Sequence, residues 1–245
     1  MEALIFIYGI VLGSFYNVVI YRLPVVKSIV KPPSACGACG HRLTPIELVP
    51  ILSYIVQKGK CKNCQEKISV RYPLIELLTG LLFLLIYWKV GFSIELLKGL
   101  FLGSMFIIIS FIDLDHQIIP DELNLILGVA GLIYLIAVQP FPFMQGIYGF
   151  LAGGGFLFLI ALVGPMGGGD IKFMAAMGLW LGLGYTLMAL LISFTIGGLI
   201  SGGLLIAKVV DRKTAIPFGP FLCLASLIVM LFGNELFVWY VSTLL

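Results

Sequence analysis

Forty-seven consecutive residues, from Leu123 to Gly169, contain no Asp, Glu, Lys or Arg, and a second such run of 35 extends from Phe173 to Ala207. A helix needs about 20 apolar residues to cross a bilayer, so these runs amount to several crossings. Only 11% of the chain is charged, against about 25% in a soluble domain. Backbone polar groups in hydrocarbon must be satisfied within the segment that carries them, and the expected architecture is therefore an all-α polytopic membrane protein. The apolar pattern predicts eight spans, at 2–21, 73–88, 96–112, 122–138, 146–163, 171–183, 185–207 and 218–241. Pro140-Phe141-Pro142 punctuates the longer uncharged run, Gly182 and Gly184 the shorter, and Pro217-Phe218-Gly219-Pro220 opens the last helix. The first apolar segment has no basic stretch before it and carries only Glu2, which fits a permanent first helix and not a cleaved signal.

The cations set the orientation. Nine of the 15 Lys and Arg lie between Arg22 and Arg71. Lys172, Lys208, Arg212 and Lys213 fall in other loops on the same side, and only Lys89 and Lys98 fall opposite. By the positive-inside rule the 22–72 region is cytoplasmic and both termini face outward. Three parts follow: a first transmembrane helix (1–23), a cytoplasmic four-cysteine domain (24–72) and a helical membrane domain (73–245). A segment of about 50 residues is small for a self-sufficient core and calls for a staple. Cys36-Gly37-Ala38-Cys39 and Cys61-Lys62-Asn63-Cys64 provide one. Paired C-x2-C turns at this spacing suit a closed tetrahedral zinc site, structural and not catalytic. Two disulfides or free thiols are the alternatives, and a reducing cytoplasm argues against the disulfides. His41 is a possible substitute ligand, or a solvated loop histidine. Cys223, in the last span, reads as a small apolar packing residue.

Carboxylates at membrane depth mark functional sites. Asp113, in the run Ile112-Asp113-Leu114-Asp115-His116, lies where the third span reaches the cytoplasmic face. Asp170, after Gly167-Gly168-Gly169, lies where the fifth span does. Two carboxyl groups brought together share one proton. The ionised member then activates a water and the protonated one polarises a carbonyl, which is aspartic-protease chemistry. The three glycines allow a substrate strand to approach the backbone. Asp121 and Glu122, following Pro120, form an ordinary helix start, whereas Asp115 is divided between substrate support and solvation.

The motifs resemble those of the bacterial type IV prepilin peptidases. The resemblance rests on Gly13-Ser14-Phe15-Tyr16-Asn17-Val18 with Tyr21-Arg22-Leu23-Pro24, and on the stretch from Gly59 through the second C-x2-C to Glu76. It continues through Asp113-x-Asp115-His116-Gln117 with Pro120-Asp121, the G-x-G-D of 167–170, and Ile216-Pro217-Phe218-Gly219-Pro220. The order of these motifs is the family's, and they cover nearly the whole chain. The resemblance implies a membrane aspartic endopeptidase that cuts a prepilin or pseudopilin after the glycine ending its basic leader. It implies Asp113 and Asp170 as the catalytic pair and residues 36–64 as the cysteine domain of the bifunctional members. Those members also methylate the new amino terminus, usually Phe, with S-adenosylmethionine. Gly59, Lys60 and Glu76 are the candidates for that cofactor, which has no Rossmann fingerprint here. Asp115, Asp121, Gly167, Gly168, Gly169, Pro217 and Gly219 are candidates for substrate binding or support, with Glu122 and Asp211 as further acidic partners for a basic leader. Lipid is the expected surrounding, a bacterial inner membrane the expected location, and nucleic acid is not an expected partner.

Three other readings compete. A presenilin-like protease also uses two membrane aspartates, but its Tyr-Asp and Pro-Ala-Leu signatures are missing. A proton-coupled transporter would bind near the midplane between repeats, and no internal repeat is visible. A zinc-knuckle scaffold leaves Asp170 and its glycines unexplained.

Overall fold

A computed structural model describes residues 1–164, 166–211 and 214–244. Arg212 and Lys213, counted above among the loop cations, lie outside the described residues. Among the described residues there are eight α-helices: α1 (Glu2–Arg22), a single short turn α2 (Leu52–Val56), α3 (Arg71–Val90), α4 (Ile94–His116), α5 (Asp121–Val138), α6 (Phe143–Val163), α7 (Gly168–Ile206) and α8 (Gly219–Leu244). Seven of them, all but α2, are long and apolar enough to cross a membrane, so the chain is a multi-pass membrane protein.

The predicted eight spans are reconciled by α7. Its 39 residues would stretch for roughly 58 Å at 1.5 Å per residue, about twice the ~30 Å hydrocarbon core. The helix is broken at Gly182, where φ is 72° and ψ is 175°, a conformation open essentially to glycine alone. The two halves match the spans read at 171–183 and 185–207. The third predicted span, ending at 112, stops short: α4 continues through Asp113, Leu114 and Asp115 to His116. It ends where Gln117 turns left-handed (φ 54°) and donates its N–H to the Asp113 carbonyl at 2.8 Å. Charge marked the edge of the apolar stretch, whereas backbone bonding sets the end of the helix.

The chain divides into two compact units, 1–108 and 109–245, with the division inside α4. In the first, α1 packs on α3 through small residues. Gly9 and Gly13, four apart on α1, lie so close to α3 that a Cβ would meet the Gly80 and Glu76 Cα atoms at 2.8 Å. Hydrocarbon offers helices no hydrophobic reason to associate, so such close backbone approach is a main source of packing energy. Tyr16 adds a buried hydroxyl bond to Ser104 at 2.6 Å.

In the second unit, α6 and α7 use the same device, with a Cβ on Gly178 meeting the backbone of Gly149 and Phe150. Trp180 of α7 stacks on Tyr134 of α5 (centroids 5.1 Å apart) and donates its indole N–H to the Leu127 carbonyl at 3.0 Å. These contacts hold the amino-terminal half of α7, and with it Asp170, against α5 and α6.

Candidate active site

Asp113 and Asp170 are both buried, at 5% and 9% exposure, and their carboxyl groups lie within electrostatic reach of each other. Each is held by a helix start. The N–H of Gly219, the first residue of α8, donates to Asp113 Oδ2 at 2.8 Å. The N–H of Gly167, the residue preceding α7, donates to Asp170. The first N–H groups of a helix lack intrahelical acceptors and carry partial positive charge. Two helix ends therefore offset part of the cost of taking two carboxylates out of water.

The loops leave little slack. A Cβ on Gly219 would stand 2.7 Å from Asp113 Oδ2, and one on Gly167 would stand 2.9 Å from Asp170 Oδ2. A Cβ on Gly169 would meet Ile119 Cβ at 2.9 Å, whereas one on Gly168 would meet nothing within 4 Å. Of the three consecutive glycines, two are fixed by contacts and the middle one faces open space. Gln117 donates to the Ala215 carbonyl at 3.0 Å, tying the end of α4 to the half-buried segment that leads through Pro217 to Gly219.

Asp115, two residues beyond Asp113 on α4, is exposed. Asp121 is exposed and its carboxylate receives the Lys172 ammonium at 2.7 and 2.9 Å, so it serves as an ion-pair partner as well as a helix start. Two residues near the pair carried no signal in the sequence. Asn124, buried on α5, donates its side-chain amide to the Gly169 carbonyl at 3.1 Å while its Oδ1 has no partner. Cys223 is fully enclosed, bonds Ser110 and lies in the field of both aspartates. It is buried, as expected of a packing residue, within electrostatic reach of the carboxylate pair.

The four-cysteine segment is a cluster that could hold a metal ion: the Sγ atoms of Cys36, Cys39, Cys61 and Cys64 lie within 4.8 Å of one another. All are free thiols. Cys36 and Cys64 are 3.8 Å apart, too far for the ~2.05 Å of a disulfide but equal to the edge of a tetrahedron with ~2.3 Å metal–sulfur bonds. The two knuckles have the same backbone. Cys36 and Cys61 each accept an N–H from the fourth residue on, Gly40 at 3.0 Å and Gln65 at 2.9 Å, and both of those residues are left-handed. The N–H of His41 draws the Cys39 thiol down to about 6, favouring the thiolate that binds metals. His41 itself turns to Glu47, at 3.3 Å, with its side chain 31% exposed.

A cavity of about 500 Å³ lies between the cysteine segment and the start of α3. Glu76, 7% exposed, is on its wall, accepting the Ile51 N–H at 2.8 Å and a bond from Ser14. Gly59 stands behind the wall: it is left-handed (φ 68°), and a Cβ there would strike the Tyr54 hydroxyl, whose ring lines the cavity. Lys60 lines a separate surface depression with Ile46 and Leu52. The three cofactor candidates therefore part company, with Glu76 in the cavity, Gly59 supporting it and Lys60 outside.

Comparison with known proteins places this geometry. Residues 7–90 match the bacterial peptidase A24 amino-terminal domain and residues 100–202 the type IV leader peptidase family. The chain is 36% identical to the prepilin leader peptidase/N-methyltransferase of Bacillus subtilis, over 99% of its own length and 98% of that protein's. It is 34% identical to the protein of that name from Aeromonas salmonicida and 36% to that from Legionella pneumophila, over 99% of this chain and 94% and 95% of theirs. No solved structure is similar. Nearly full-length identity of this order on both sides means that the chain belongs to the type IV leader peptidase family.

Proposed function

We propose that this protein is a prepilin leader peptidase and N-methyltransferase in which Asp113 and Asp170 perform the cleavage. The observation that carries the reading is the buried carboxylate pair, each member fixed by a helix-start N–H. One proton is shared between them. The ionised carboxylate takes a proton from a water, whose oxygen attacks the carbonyl carbon of the leader's last glycine. The other gives its proton to the carbonyl oxygen. The tetrahedral intermediate then breaks at the C–N bond, and the leaving amine takes a proton from the dyad. Gly168, open on its Cα side, offers backbone to an extended substrate between Gly167 and Gly169, which hold the loop. Pro217 and Gly219 position Asp113, while Asp115 and Asp121 lie in the exposed rim that a basic leader meets.

The four cysteines bind a structural zinc ion, supported by the 3.8 Å sulfur separation and the paired knuckles. The cavity beside them suits S-adenosylmethionine. Its volume falls in the ~300–1,000 Å³ range of small-molecule sites, and it borders Glu47, whose side chain is 6% exposed and whose Oε1 has no partner. Bound there, the cofactor supplies an electrophilic methyl group. The cation distribution supports an inner-membrane protein with 24–72 and the dyad on the cytoplasmic side. The decisive experiment incubates purified protein with a prepilin and S-adenosylmethionine and weighs the product. Leader removal plus one methyl group is expected, and an intact prepilin would refute the reading.

A further inference from the structure

We infer that Glu76 is the group that accepts the proton from the pilin's new amino terminus, making the cavity of the first unit the place where methyl transfer occurs. The inference rests on the methyltransferase reading above and assigns its chemistry. An α-ammonium with a pKa near 8 is mostly protonated at pH 7 and has no lone pair to offer. A methyltransferase acting on it must first bind a cation and then remove a proton. Glu76 has the properties for both. It is a carboxylate on the wall of a cavity large enough for cofactor and amine together. It is 7% exposed, and the Ile51 N–H and the Ser14 side chain that bond it are hydrogen-bond donors and not cations. The peptidase chemistry makes no use of it.

A second observation points to a ligand in the same cavity. Glu47 borders it with a side chain 6% exposed, and its two oxygens differ sharply. Oε2 takes the Thr44 N–H at 2.9 Å, the Thr44 hydroxyl at 2.7 Å and the His41 ring at 3.3 Å. Oε1 takes nothing. The Thr44 N–H, ahead of its hydroxyl, holds this carboxyl down at about 2, so a charged oxygen stands buried without a donor. A buried acceptor left unmet calls for an explanation, a bound water, an ion or a ligand donor among them. The hydroxyl and ammonium donors of S-adenosylmethionine are of the right kind. On this assignment Glu47 belongs to the cofactor's part of the wall and Glu76 to the amine's.

The step balances. Glu76 takes one proton from the α-ammonium, and the freed nitrogen lone pair forms a bond to the sulfonium methyl. The methyl–sulfur bond breaks with its electron pair going to sulfur, leaving neutral S-adenosylhomocysteine. The secondary ammonium formed carries the positive charge away, and Glu76 returns its proton to water. The other charged side chains on the wall are Arg22, Glu47, Glu66 and Lys67, accompanied by the Cys36 and Cys61 thiols and the phenols of Tyr21, Tyr54 and Tyr72.

Glu76→Gln tests this in the full-length protein, with an already mature peptide beginning in Phe so that cleavage is bypassed. The amide oxygen still accepts the Ile51 N–H, and leader cleavage and bound metal serve as controls on the fold. Loss of a general base costs about 10²–10⁴-fold. We expect methylation at pH 7 to fall at least 100-fold, with calorimetric binding of S-adenosylhomocysteine within threefold of wild type. The deficit should shrink as the pH rises past the amine's own pKa. A methylating wild type with E76Q within threefold of it, a pH-independent deficit, or lost S-adenosylhomocysteine binding would each overturn the role of Glu76. A wild type that cuts but does not methylate would overturn the methyltransferase reading itself.

Discussion

Replacing Gly219 by Ala turns a backbone contact into a test of the carboxylate's position. The added Cβ would lie 2.7 Å from Asp113 Oδ2, 3.0 Å from its Cγ and 3.2 Å from its Cβ. Ordinary contact begins at 3.4 Å, so Oδ2 must retreat from 2.7 to 3.4 Å, by about 0.7 Å. The same movement lengthens the 2.8 Å bond from the Gly219 N–H beyond the ~3.2 Å limit of a good N–H···O bond. The atom that yields is the end of a side chain and not backbone, so the helix start can survive while the carboxyl group moves. A misplacement near 1 Å in a reacting group costs about 10²-fold, or ~2.7 kcal/mol at 1.36 kcal/mol per decade. The assay is the initial rate of prepilin cleavage in detergent, beside the thermal midpoint and the methylation of a mature peptide. Gly155→Ala, where a Cβ meets nothing within 4 Å, is the control. Gly219→Ala should lose about 100-fold in cleavage with its midpoint and methylation kept. Cleavage within threefold of wild type would refute the claim that Gly219 sets the position of Asp113.

Gly168→Ala should leave the thermal midpoint unchanged or raised, since the site is open and Ala is favoured in a helix by about 0.5–1 kcal/mol, yet slow cleavage more than tenfold; an undiminished rate would remove substrate from that backbone. Gly178→Ala puts a Cβ into the backbone of Gly149 and Phe150, and overpacking of this kind costs about 1–3 kcal/mol, to be read as a lower unfolding midpoint. Cys36→Ser should reduce metal from one zinc per chain to near zero by atomic absorption, because three thiolates leave the tetrahedron open; full zinc retention would contradict a four-thiolate site.

The membrane character and most of the site were legible because charges are so few. A carboxylate amid apolar residues stands out at Asp113 and Asp170, and the C-x2-C pairs announce a local turn whose geometry depends on few distant residues. Helix ends were less legible: α4 runs on through Asp115 to His116 because hydrogen bonding, not polarity, terminates it. The contacts that shape the site were not legible at all. Gly219 holds Asp113 across 106 positions of sequence, and Asn124 holds Gly169 across 45. Neither residue type betrays its partner. Glu47 likewise looks like an ordinary loop acid until its capping bonds are seen to occupy one oxygen and leave the other unmet.

The central claim is that two buried carboxyl groups do the cleavage, and its most direct test is prepilin processing by Asp113→Asn, Asp170→Asn and the wild type, scored by the mass of the product's amino terminus. An amide keeps the shape but removes the shared proton. The account predicts that both variants leave the leader attached while still methylating a mature peptide. Cleavage by either variant at a rate near that of the wild type would contradict it.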